Sequence, residues 1–415
     1  MADARRPLRV AVVAEYYPRP SHPGRGIWAH RQAIAVRDHD VEPSVLALDR
    51  PIPPLHALRS LAPRRNGRPT MAPLREWLSG ARSLPRRADL DEVEVRYVRF
   101  LAPPRPTSYA SWGRWAARPL GRALSALEAS WPFDLVHAHY AVPAGDAVLR
   151  WRCATGRAVP LVVSVHGGDL SYVAARSDSG RAVAARVLRS AQAVIVNSEL
   201  TKSGVEALTG ELDRLEVVHL GADVVPGEPA KHEHPTLVTV ATLEPRKNQE
   251  RVIGALVALR ERHPQLRYVI VGQGPDRERL EQLASRLDVI DRVTFVGEVS
   301  HERALAEMAR CHLHVMPSRD EPFGVAHVEA MAAGLPAIAG AGTGAQDIAA
   351  VGEGIVLVGP GDDTAIARAI DRLISDPTRR NELGAAARET VRHHFTWELC
   401  GARTAAIYRE LAAAR

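Results

Sequence analysis

The chain has 415 residues, of which 46% are hydrophobic and 25% charged, and its formal net charge is +6. These proportions exclude a disordered or fibrous chain, and the length suits two or three globular domains. No run approaches the roughly 18 apolar residues of a membrane-spanning helix, and the apolar segment Leu8–Ala14 is too short for a signal peptide. The three cysteines are scattered along the chain and indicate no disulfide framework. We therefore expect a cytoplasmic protein.

The positive charge is concentrated in one part of the chain. Residues 51–130 contain 14 Arg against 6 Asp and Glu, a local charge of +8. Within this part, 51–92 is rich in proline and weakly periodic, which predicts a long surface insertion. A cationic surface favours anionic partners, so we expect a peripheral contact of 51–130 with the inner face of an anionic membrane. Aromatic residues make up only 5% and no nucleic-acid motif occurs, so we expect no nucleic-acid binding.

The first half of the chain alternates apolar, β-branched runs with helical patterns. The predicted strands are Leu8–Ala14, Pro43–Leu48, Val93–Arg99, Asp134–Ala138, Pro160–Val165, Ala193–Asn197 and Leu215–Val218. The helical patterns between them are Ile27–Arg37, Ala141–Cys153 and Glu199–Leu208. Such alternation predicts a parallel sheet with helices on both faces. The polar stretch 226–235, rich in Pro and Gly, is typical of a linker.

The same alternation restarts after the linker. The predicted strands are Thr236–Ala241, Leu266–Val271, Arg292–Val296, His312–Met316 and Gly354–Val358, with helices starting at Asn248, Asp276, His301 and Gly324. Three helical patterns end the chain, at about 362–375, 378–394 and 397–412. We therefore predict an α/β fold of two doubly wound, Rossmann-like domains, 1–225 and 232–395, with a cleft between them at the carboxyl ends of both sheets. Residues 396–415 are predicted to form a helix that crosses back to the first domain.

The sharpest motif, residues 317–334, follows the predicted strand His312–Met316 and opens a helix. Glu321 lies in the strand–helix loop, where its carboxylate can accept hydrogen bonds from a polyol, and Glu329 lies two turns inside the helix, where it can accept from a ribose diol. The loop amides at the helix N-terminus favour a phosphate; they belong to Phe323, Gly324 and Val325. The alternative is that Glu321 only caps the helix and Glu329 is a surface residue.

A second motif, residues 240–249, follows the first strand of the second domain. Arg246 and Lys247 are adjacent cations between a strand end and a helix. Two charge-assisted hydrogen bonds at this place suit a pyrophosphate, whose negative charge grows as a sugar leaves. The alternative is a pair of solvated charges at the start of a helix, and it is stronger for Arg246 than for Lys247.

These motifs resemble the Glu-x7-Glu signature of the retaining family-four glycosyltransferases, which use the two-domain GT-B fold. The resemblance runs through nearly the whole chain and is strongest from about 134 to 400. It implies that Glu321 binds hydroxyls of the donor sugar, that Glu329 binds the nucleotide ribose, and that the loop amides contact the sugar and the diphosphate. Within the family the chain most resembles bacterial cell-envelope enzymes of the teichuronic-acid type, and transfer to a soluble secondary metabolite is an equal alternative.

The resemblance extends to further residues. His166, at the end of a predicted strand and followed by Gly-Gly-Asp, resembles the family's active-site histidine, so the implied catalytic residues are His166, Lys247 and Glu321. Implied donor-binding residues in other loops are Gly26, Thr242, Arg246, Gly272 and Val299. Implied acceptor-side residues are His139, Tyr140 and Asp169. The family pattern Gly-Arg-Leu-x3-Lys is matched at Lys247, but Thr242 stands where arginine is expected, and we expect Arg246 to substitute.

No metal or other cofactor is expected. The letters Asp-x-Asp, which hold a divalent ion in transferases of the other major fold, occur at 38–40 and 89–91, at the wrong end of the sheet and in the arginine-rich insertion. His137 and His139 are expected on opposite faces of their strand and therefore not as a metal pair.

The implied activity is retaining transfer of a hexosyl or N-acetylhexosaminyl group from a nucleotide-diphosphate sugar to an acceptor hydroxyl. UDP is the expected nucleotide because the family uses it most often, and the expected acceptor is lipid-linked or a small molecule. Two alternatives stay open: a non-catalytic nucleotide-sugar-binding partner, suggested by Thr242, and a hydrolysing nucleotide-sugar epimerase of the same fold.

Overall fold

The computed structural model describes residues 6–19, 22–51, 85–224 and 230–414, with the single residues 71, 75 and 79. The chain forms two compact units. Unit 1 contains residues 1–196, 203–216 and 401–415, and unit 2 contains residues 197–202 and 217–400. Most of the predicted insertion at 51–92, and positions 225–229 at the predicted domain boundary and linker, lie outside the described residues.

Unit 1 is built on an eight-stranded sheet with the strand order β3-β4-β2-β1-β5-β6-β7-β8. Its strands are β1 (Leu8–Ala14), β2 (Val41–Asp49), β3 (Arg87–Leu90), β4 (Val93–Arg99), β5 (Leu135–His139), β6 (Leu161–Val165), β7 (Ala193–Val196) and β8 (Leu215–Val217). β3 runs antiparallel to β4, whereas β4, β2, β1, β5, β6 and β7 pair in parallel. The central strands are buried on both faces, as parallel sheets covered by helices are.

The helices up to the end of β8 connect these strands. They are α1 (Ile27–Ala35), the short α2 (Arg105–Ser108), α3 (Trp112–Ser130), α4 (Asp146–Thr155), α5 (Asp178–Ser190) and α6 (Glu199–Thr209). The side chain of Ser177 caps α5 by accepting a 3.0 Å hydrogen bond from the Gly180 amide, which satisfies one of the free N–H groups of the first turn.

The sheet of unit 2 has six strands in the order β11-β10-β9-β12-β13-β14, all paired in parallel. The strands are β9 (Thr236–Val240), β10 (Arg267–Val271), β11 (Val293–Gly297), β12 (Leu313–Met316), β13 (Ala337–Gly340) and β14 (Ile355–Val358). The helices are α7 (Gln249–Ala258), α8 (Arg277–Arg286), α9 (His301–Arg310), α10 (Val325–Ala332), α11 (Ala345–Val351), α12 (Asp363–Ser375) and α13 (Pro377–His394).

Alternate side chains of these strands enter two separate apolar clusters, one on each face of the sheet. Leu237 and Leu313 belong to a cluster with residues of α7, α8 and α12, and Val238 packs on the other face with residues of α9 and α10. This double burial explains why the strands appear in the sequence as continuous apolar runs.

The last helix, α14 (Trp397–Ala413), contributes residues 401–413 to unit 1. Gly401 lies so close to the Ala35 backbone that a Cβ atom there would collide with it. Thr404 accepts a 2.9 Å hydrogen bond from the Gln32 side chain, and the Tyr408 hydroxyl lies 2.6 Å from His137 Nδ1. These buried contacts fasten the end of the chain to the first unit.

The predicted two-domain α/β fold class is therefore confirmed, and the differences concern single elements. β3 and β13 do not appear among the predicted strands, and the long helix α3 was missed. Residues 141–145, predicted as the start of a helix, contain a non-helical residue, Val142, so that the regular helix α4 begins only at Asp146.

Candidate active site

The loop between β12 and α10 has the backbone shape of an anion-binding turn. Gly324, at the N-terminus of α10, has φ +93° and ψ 61°, a left-handed conformation that favours glycine. A Cβ atom at this position would also collide with the His327 ring. The first amides of a helix have no intrahelical partner, so the N-terminal N–H groups of α10 are available to a ligand bound at the loop.

A buried ion pair stands beside this loop. Lys247 and Glu321 are each 8% exposed, and the ammonium group of Lys247 donates a short hydrogen bond to Glu321 Oε2. Burial alone would raise the pKa of Glu321, but the charges of Lys247 and Arg246 outweigh it and hold this pKa below its ordinary value. Glu321 is therefore a carboxylate at neutral pH, ready to accept hydrogen bonds from sugar hydroxyls.

Arg246 belongs to the same cluster. Its Nη1 lies 3.4 Å from Glu321 Oε2, and its Nε donates a 3.0 Å hydrogen bond to Glu244. Thr242, by contrast, is an exposed residue. Arg246 therefore places a guanidinium beside the Glu321 carboxylate. That it takes the place of the arginine expected at position 242 stays a prediction.

Hydrogen bonds hold the two motifs of unit 2 together. The Asn248 side chain donates to the carbonyls of Pro317, at 2.7 Å, and Pro360, at 2.8 Å, and the Arg319 amide donates to the Arg246 carbonyl at 2.8 Å. Because these bonds tie both loops to one another, Arg246, Lys247 and Glu321 are positioned before any ligand arrives.

The remaining predicted donor residues of unit 2 surround these loops. Glu329 lies in the second turn of α10, with its carboxylate 3.5 Å from His301 Nε2, and Val299 follows β11. Gly272 follows β10 with φ +134°, where a Cβ atom would collide with the Ala241 carbonyl. The loops after β9, β10, β11 and β12 all leave the carboxyl edge of one parallel sheet, the usual place for a ligand in such folds.

In unit 1, the predicted acceptor-side residues meet at the carboxyl ends of β5 and β6. His139 Nδ1 and His166 Nε2 are 3.0 Å apart, and the Tyr140 ring lies 5.2 Å from that of His166. Asp169 accepts a 2.7 Å hydrogen bond from the Ala141 amide through Oδ1. Among the described residues, His166 Nδ1 and Asp169 Oδ2 have no protein partner.

Burial changes the protonation of this group. It lowers the pKa of His166 to about 3 and, with help from His137 and His166, that of His139 well below its ordinary value. It raises the pKa of Asp169 to about 7, against the opposing effect of backbone amides such as that of Ala141. Near neutral pH both histidines are therefore uncharged hydrogen-bonding groups, and Asp169 is close to its titration midpoint.

The expectation that His137 and His139 lie on opposite faces of their strand was wrong. Side chains two residues apart on a strand share a face, and the two ring centroids are 4.5 Å apart. His137 is nevertheless used within the core, since its nitrogens lie 2.6 Å from the Tyr408 hydroxyl and 2.7 Å from Ser164 Oγ.

The loop after β1 brings aromatic residues to the same edge of unit 1. Gly26, with φ +66°, lies against the Tyr16 backbone so closely that a Cβ atom would collide with it. The Tyr16 ring is 5.4 Å from that of Tyr140, and Trp28 is 6.0 Å from His166. Tyr16 and Trp28 were not among the candidate residues predicted from the sequence, although both flank the Gly24-x-Gly26 turn.

One group of side chains in the described part of the chain has a geometry that can hold a metal ion. His232, Glu307 and Cys311 place their ligand atoms within 4.8 Å of one another. They lie near the amino end of β12, at the opposite edge of the sheet from Glu321. The Asp-x-Asp letters at 89–91 serve other contacts: Asp91 lies 2.8 Å from His30, and Asp89 accepts a hydrogen bond from the Glu92 amide.

Comparison with known proteins shows which family the chain belongs to. The family described as Glycosyltransferase Family 4 matches residues 77–225, and Glycosyl transferases group 1 matches residues 225–390. The GDP-mannose-dependent alpha-(1-6)-phosphatidylinositol monomannoside mannosyltransferase of Mycobacterium tuberculosis H37Rv is 31% identical over 302 residues, 68% of this chain and 78% of that protein. This chain belongs to the family-four glycosyltransferases.

Two further proteins support the assignment of this chain to the glycosyltransferases. Glycogen synthase of the same bacterium is 30% identical over 289 residues, 67% of this chain and 69% of its own. The solved sucrose-phosphate synthase of Thermosynechococcus elongatus superposes with a TM-score of 0.75 at 22% identity, covering 98% of this chain and all of that one. The similarity to sucrose-phosphate synthase concerns the fold, and it confirms the predicted GT-B class.

Family membership shows that this glycosyltransferase is an enzyme that uses a nucleotide-sugar donor. Neither the non-catalytic nor the epimerase alternative gains support from these relatives. None of the helices in the described ranges combines the length and apolar character that a membrane span requires.

Proposed function

We propose that this glycosyltransferase is a retaining enzyme that transfers a hexosyl or N-acetylhexosaminyl group to an acceptor hydroxyl without a metal ion. Unit 2 holds the donor, and His139, Tyr140, His166 and Asp169 of unit 1 serve the sugar and the acceptor. The observation that carries the proposal is the Lys247–Glu321 pair beside the N-terminus of α10.

The chemistry of this pair fits a nucleotide-diphosphate sugar. Lys247 and Arg246 offer two cations, and the α10 amides offer dipoles that favour phosphate. Glu321, held as a carboxylate by the same cations, accepts hydrogen bonds from sugar hydroxyls. Fixed positive groups stabilise the charge that develops on a departing diphosphate, so the charge stabilisation that a metal ion supplies elsewhere comes from the protein.

Retention follows if the acceptor attacks on the face from which the diphosphate leaves. The bond from the anomeric carbon to the phosphate oxygen breaks, the bond to the acceptor oxygen forms on the same side, and the acceptor proton passes to the departing phosphate oxygen. Glu321 is engaged by two cations and therefore acts on hydroxyls rather than as a nucleophile. His166, neutral at assay pH with a free Nδ1, donates or accepts one hydrogen bond.

The relatives also support a more specific proposal for the donor nucleotide and for the class of acceptor. UDP was the expectation from the sequence, whereas the mycobacterial mannosyltransferase is named for GDP-mannose; we rank GDP-mannose first and UDP-hexoses second. That relative is also named for a phosphatidylinositol glycolipid, which supports a lipid-linked acceptor and a peripheral membrane contact of 51–130 over a soluble acceptor.

The test is a donor panel of GDP-mannose, UDP-glucose, UDP-N-acetylglucosamine and ADP-glucose, with and without a bacterial lipid extract, in the presence of a metal chelator. Release of nucleoside diphosphate identifies the donor, and NMR of the product gives the anomeric configuration. We expect an α-linked product from an α-linked donor, and loss of turnover in Glu321→Ala.

The matched control is Glu302→Ala, which removes an exposed glutamate from α9 of the same unit and should leave turnover unchanged. A β-linked product contradicts retention. Turnover that requires a divalent ion contradicts the metal-independent step.

A further inference from the structure

Four arginines of unit 1 stack on aromatic rings at one place; we call this the arginine–aromatic cluster. Its members are Arg25, Arg50, Arg105, Arg176, Tyr16, Tyr109, Trp112 and Tyr172. Arg105 is central: its Cζ lies 4.3 Å from the Tyr109 ring centroid, 4.8 Å from Tyr172 and 5.4 Å from Tyr16.

The other three guanidinium groups share a ring with Arg105. Arg176 lies 3.9 Å from the Tyr172 centroid, Arg25 lies 5.0 Å from Tyr16, and Arg50 lies 4.3 Å from Trp112, whose ring is also 5.9 Å from Arg105. Arg25, Arg50 and Arg105 are half-buried, and Arg176 is exposed. Stacking fixes the plane of a guanidinium while its N–H edge stays available for a planar or tetrahedral anion.

The cluster carries more positive than negative charge. In the described part of the chain its nearest carboxylate is Glu15, which accepts a hydrogen bond from the Tyr109 hydroxyl. Asp49, near by, is already paired with Arg19 at 2.7 Å. Four arginines against the single carboxylate of Glu15 leave a net charge of about +3, and concentrating like charges in a half-buried place costs free energy.

Part of this charge is compensated within the protein. Burial lowers the pKa of Arg105, but Glu15 outweighs it and holds that pKa above its ordinary value, and Arg50 donates to two backbone carbonyls. Two guanidinium N–H groups of the described chain nevertheless lack a partner. The Nε atoms of Arg25 and Arg105 are buried and have no hydrogen-bond partner among the described residues. Arg25 contacts Glu15 only weakly, with 3.4 Å from Nη2 to the backbone carbonyl. A buried donor without a partner costs free energy, so an anion that accepts hydrogen bonds from these N–H groups would remove that cost.

The cluster adjoins the predicted acceptor-side residues. Tyr16, which stacks with Arg25 and Arg105, lies 5.4 Å from the Tyr140 ring, which in turn lies 5.2 Å from His166. We infer that the arginine–aromatic cluster binds an anionic group of the glycosyl acceptor, a phosphate monoester or phosphodiester. This inference rests on the proposed function, because it names the chemical class of the acceptor at the same site.

The experiment measures binding of the full chain to four probes. Calorimetric titration uses glycerol 3-phosphate and, as its neutral counterpart, glycerol. Flotation uses vesicles of phosphatidylcholine alone and of phosphatidylcholine with phosphatidylglycerol. The variants are Arg105→Gln and the exposed Arg176→Gln, which should fold without difficulty. Arg403→Gln is the matched control, since it removes an exposed charge of α14 in the same unit but outside the basic region 51–130.

We expect at least one phosphate probe to bind and its neutral counterpart not to. Arg105→Gln should weaken that binding at least tenfold and Arg176→Gln about threefold, while Arg403→Gln leaves it unchanged. Binding to the anionic vesicles alone identifies a lipid headgroup as the source of the phosphate, and binding to glycerol 3-phosphate identifies a soluble ester.

Three results overturn the inference: neither phosphate probe binds, Arg403→Gln weakens binding as much as Arg105→Gln, or Arg105→Gln weakens GDP and UDP binding to the same extent. The last result assigns the cluster to the donor diphosphate instead. Failure of the proposed function is separate, because it shows as loss of nucleotide binding or turnover in the unmodified protein.

Discussion

At the scale of single residues, the candidate site contains two buried acids whose electrostatic surroundings are opposite. Glu321 is surrounded by Lys247 and Arg246, which keep it ionised despite burial. Asp169 receives backbone hydrogen bonds but no cation, and burial raises its pKa to about 7. The same side-chain chemistry therefore supplies a permanent carboxylate in unit 2 and a titrating carboxyl in unit 1.

The Lys247–Glu321 pair predicts strong coupling between two substitutions. Lys247→Met leaves the Glu321 carboxylate buried with less compensation, and removal of one partner from a buried pair costs about 3–5 kcal/mol. We expect the thermal midpoint of unit 2 to fall by several degrees in Lys247→Met, and Glu321→Gln in that background to cost less than it does alone. Calorimetric melting without ligand checks this.

The control is Lys202→Met, because Lys202 pairs with an exposed Glu199 at 3.6 Å and exposed pairs contribute about 0–1 kcal/mol. Additive losses in the double variant would show that Lys247 and Glu321 do not interact as the geometry indicates.

Asp169 predicts a stability difference that depends on pH. Its pKa in the folded protein, about 7, is above the ordinary 3.8, so the stability it contributes is complete below pH 4 and is lost as the pH rises through 7. Asp169→Asn keeps an acceptor for the Ala141 amide but cannot ionise. We expect the variant to gain more melting temperature relative to the unmodified protein at pH 8 than at pH 5. A constant difference at both pH values would contradict the raised pKa.

At the scale of elements, the strand–loop–helix unit β12–α10 positions the donor residues. The loop requires a left-handed glycine at 324, and the space beside that glycine is filled by the His327 ring. The segment is also tied to the 246–248 loop by backbone and side-chain hydrogen bonds. Donor geometry is therefore a property of two connected loops rather than of separate side chains.

Gly324→Ala tests this element. The added Cβ collides with His327, and the left-handed φ is unfavourable for alanine by roughly 1 kcal/mol, so we expect weaker nucleotide binding and a lower melting temperature. Gly361→Ala is the control, since nothing lies within 4 Å of a Cβ at that position. Equal behaviour of the two variants would show that the loop tolerates a side chain at 324.

Particular elements show how far the sequence alone reaches. Glu321, Lys247 and His166 were predicted as site residues because they follow apolar strands, where the chain leaves the sheet, and because they match motifs of the family. β13 was missed because Ala337–Gly340 has one branched residue, Ile338, among two alanines and a glycine, and α3 because Pro119 interrupts its pattern. The arginine–aromatic cluster could not be predicted, since Arg25, Arg105 and Tyr172 are far apart in the chain and meet only through the fold.

At the scale of the whole molecule, both units bury histidines in neutral form. Burial lowers the pKa of His137, His166 and His327 to about 3, against 6.5 for an ordinary imidazole. The unfolded chain therefore binds more protons than the folded one between these values, so the stability from these groups is complete above pH 6.5 and is lost as the pH falls toward 3.

We expect the melting temperature to fall steeply between pH 6.5 and pH 5. His327→Leu should make the decline shallower, since each such group contributes about 1.4 kcal/mol per pH unit. His393→Leu, which removes an exposed histidine of α13, should leave the decline unchanged. Melting curves at half-unit intervals of pH measure the slope of the decline. A slope that His327→Leu does not alter would contradict the buried neutral state of His327.

The central claim is that the loops around Lys247, Glu321 and Glu329 form the nucleotide-sugar site. Calorimetric titration of GDP, UDP, ADP and dTDP into the unmodified protein, Lys247→Ala, Glu329→Ala and the control Lys202→Ala tests it most directly. The account predicts micromolar binding of one nucleotide, weakened at least tenfold by the first two substitutions and not by the third. Binding of none of the four, or binding that Lys247→Ala and Glu329→Ala leave unchanged in folded protein, would contradict it.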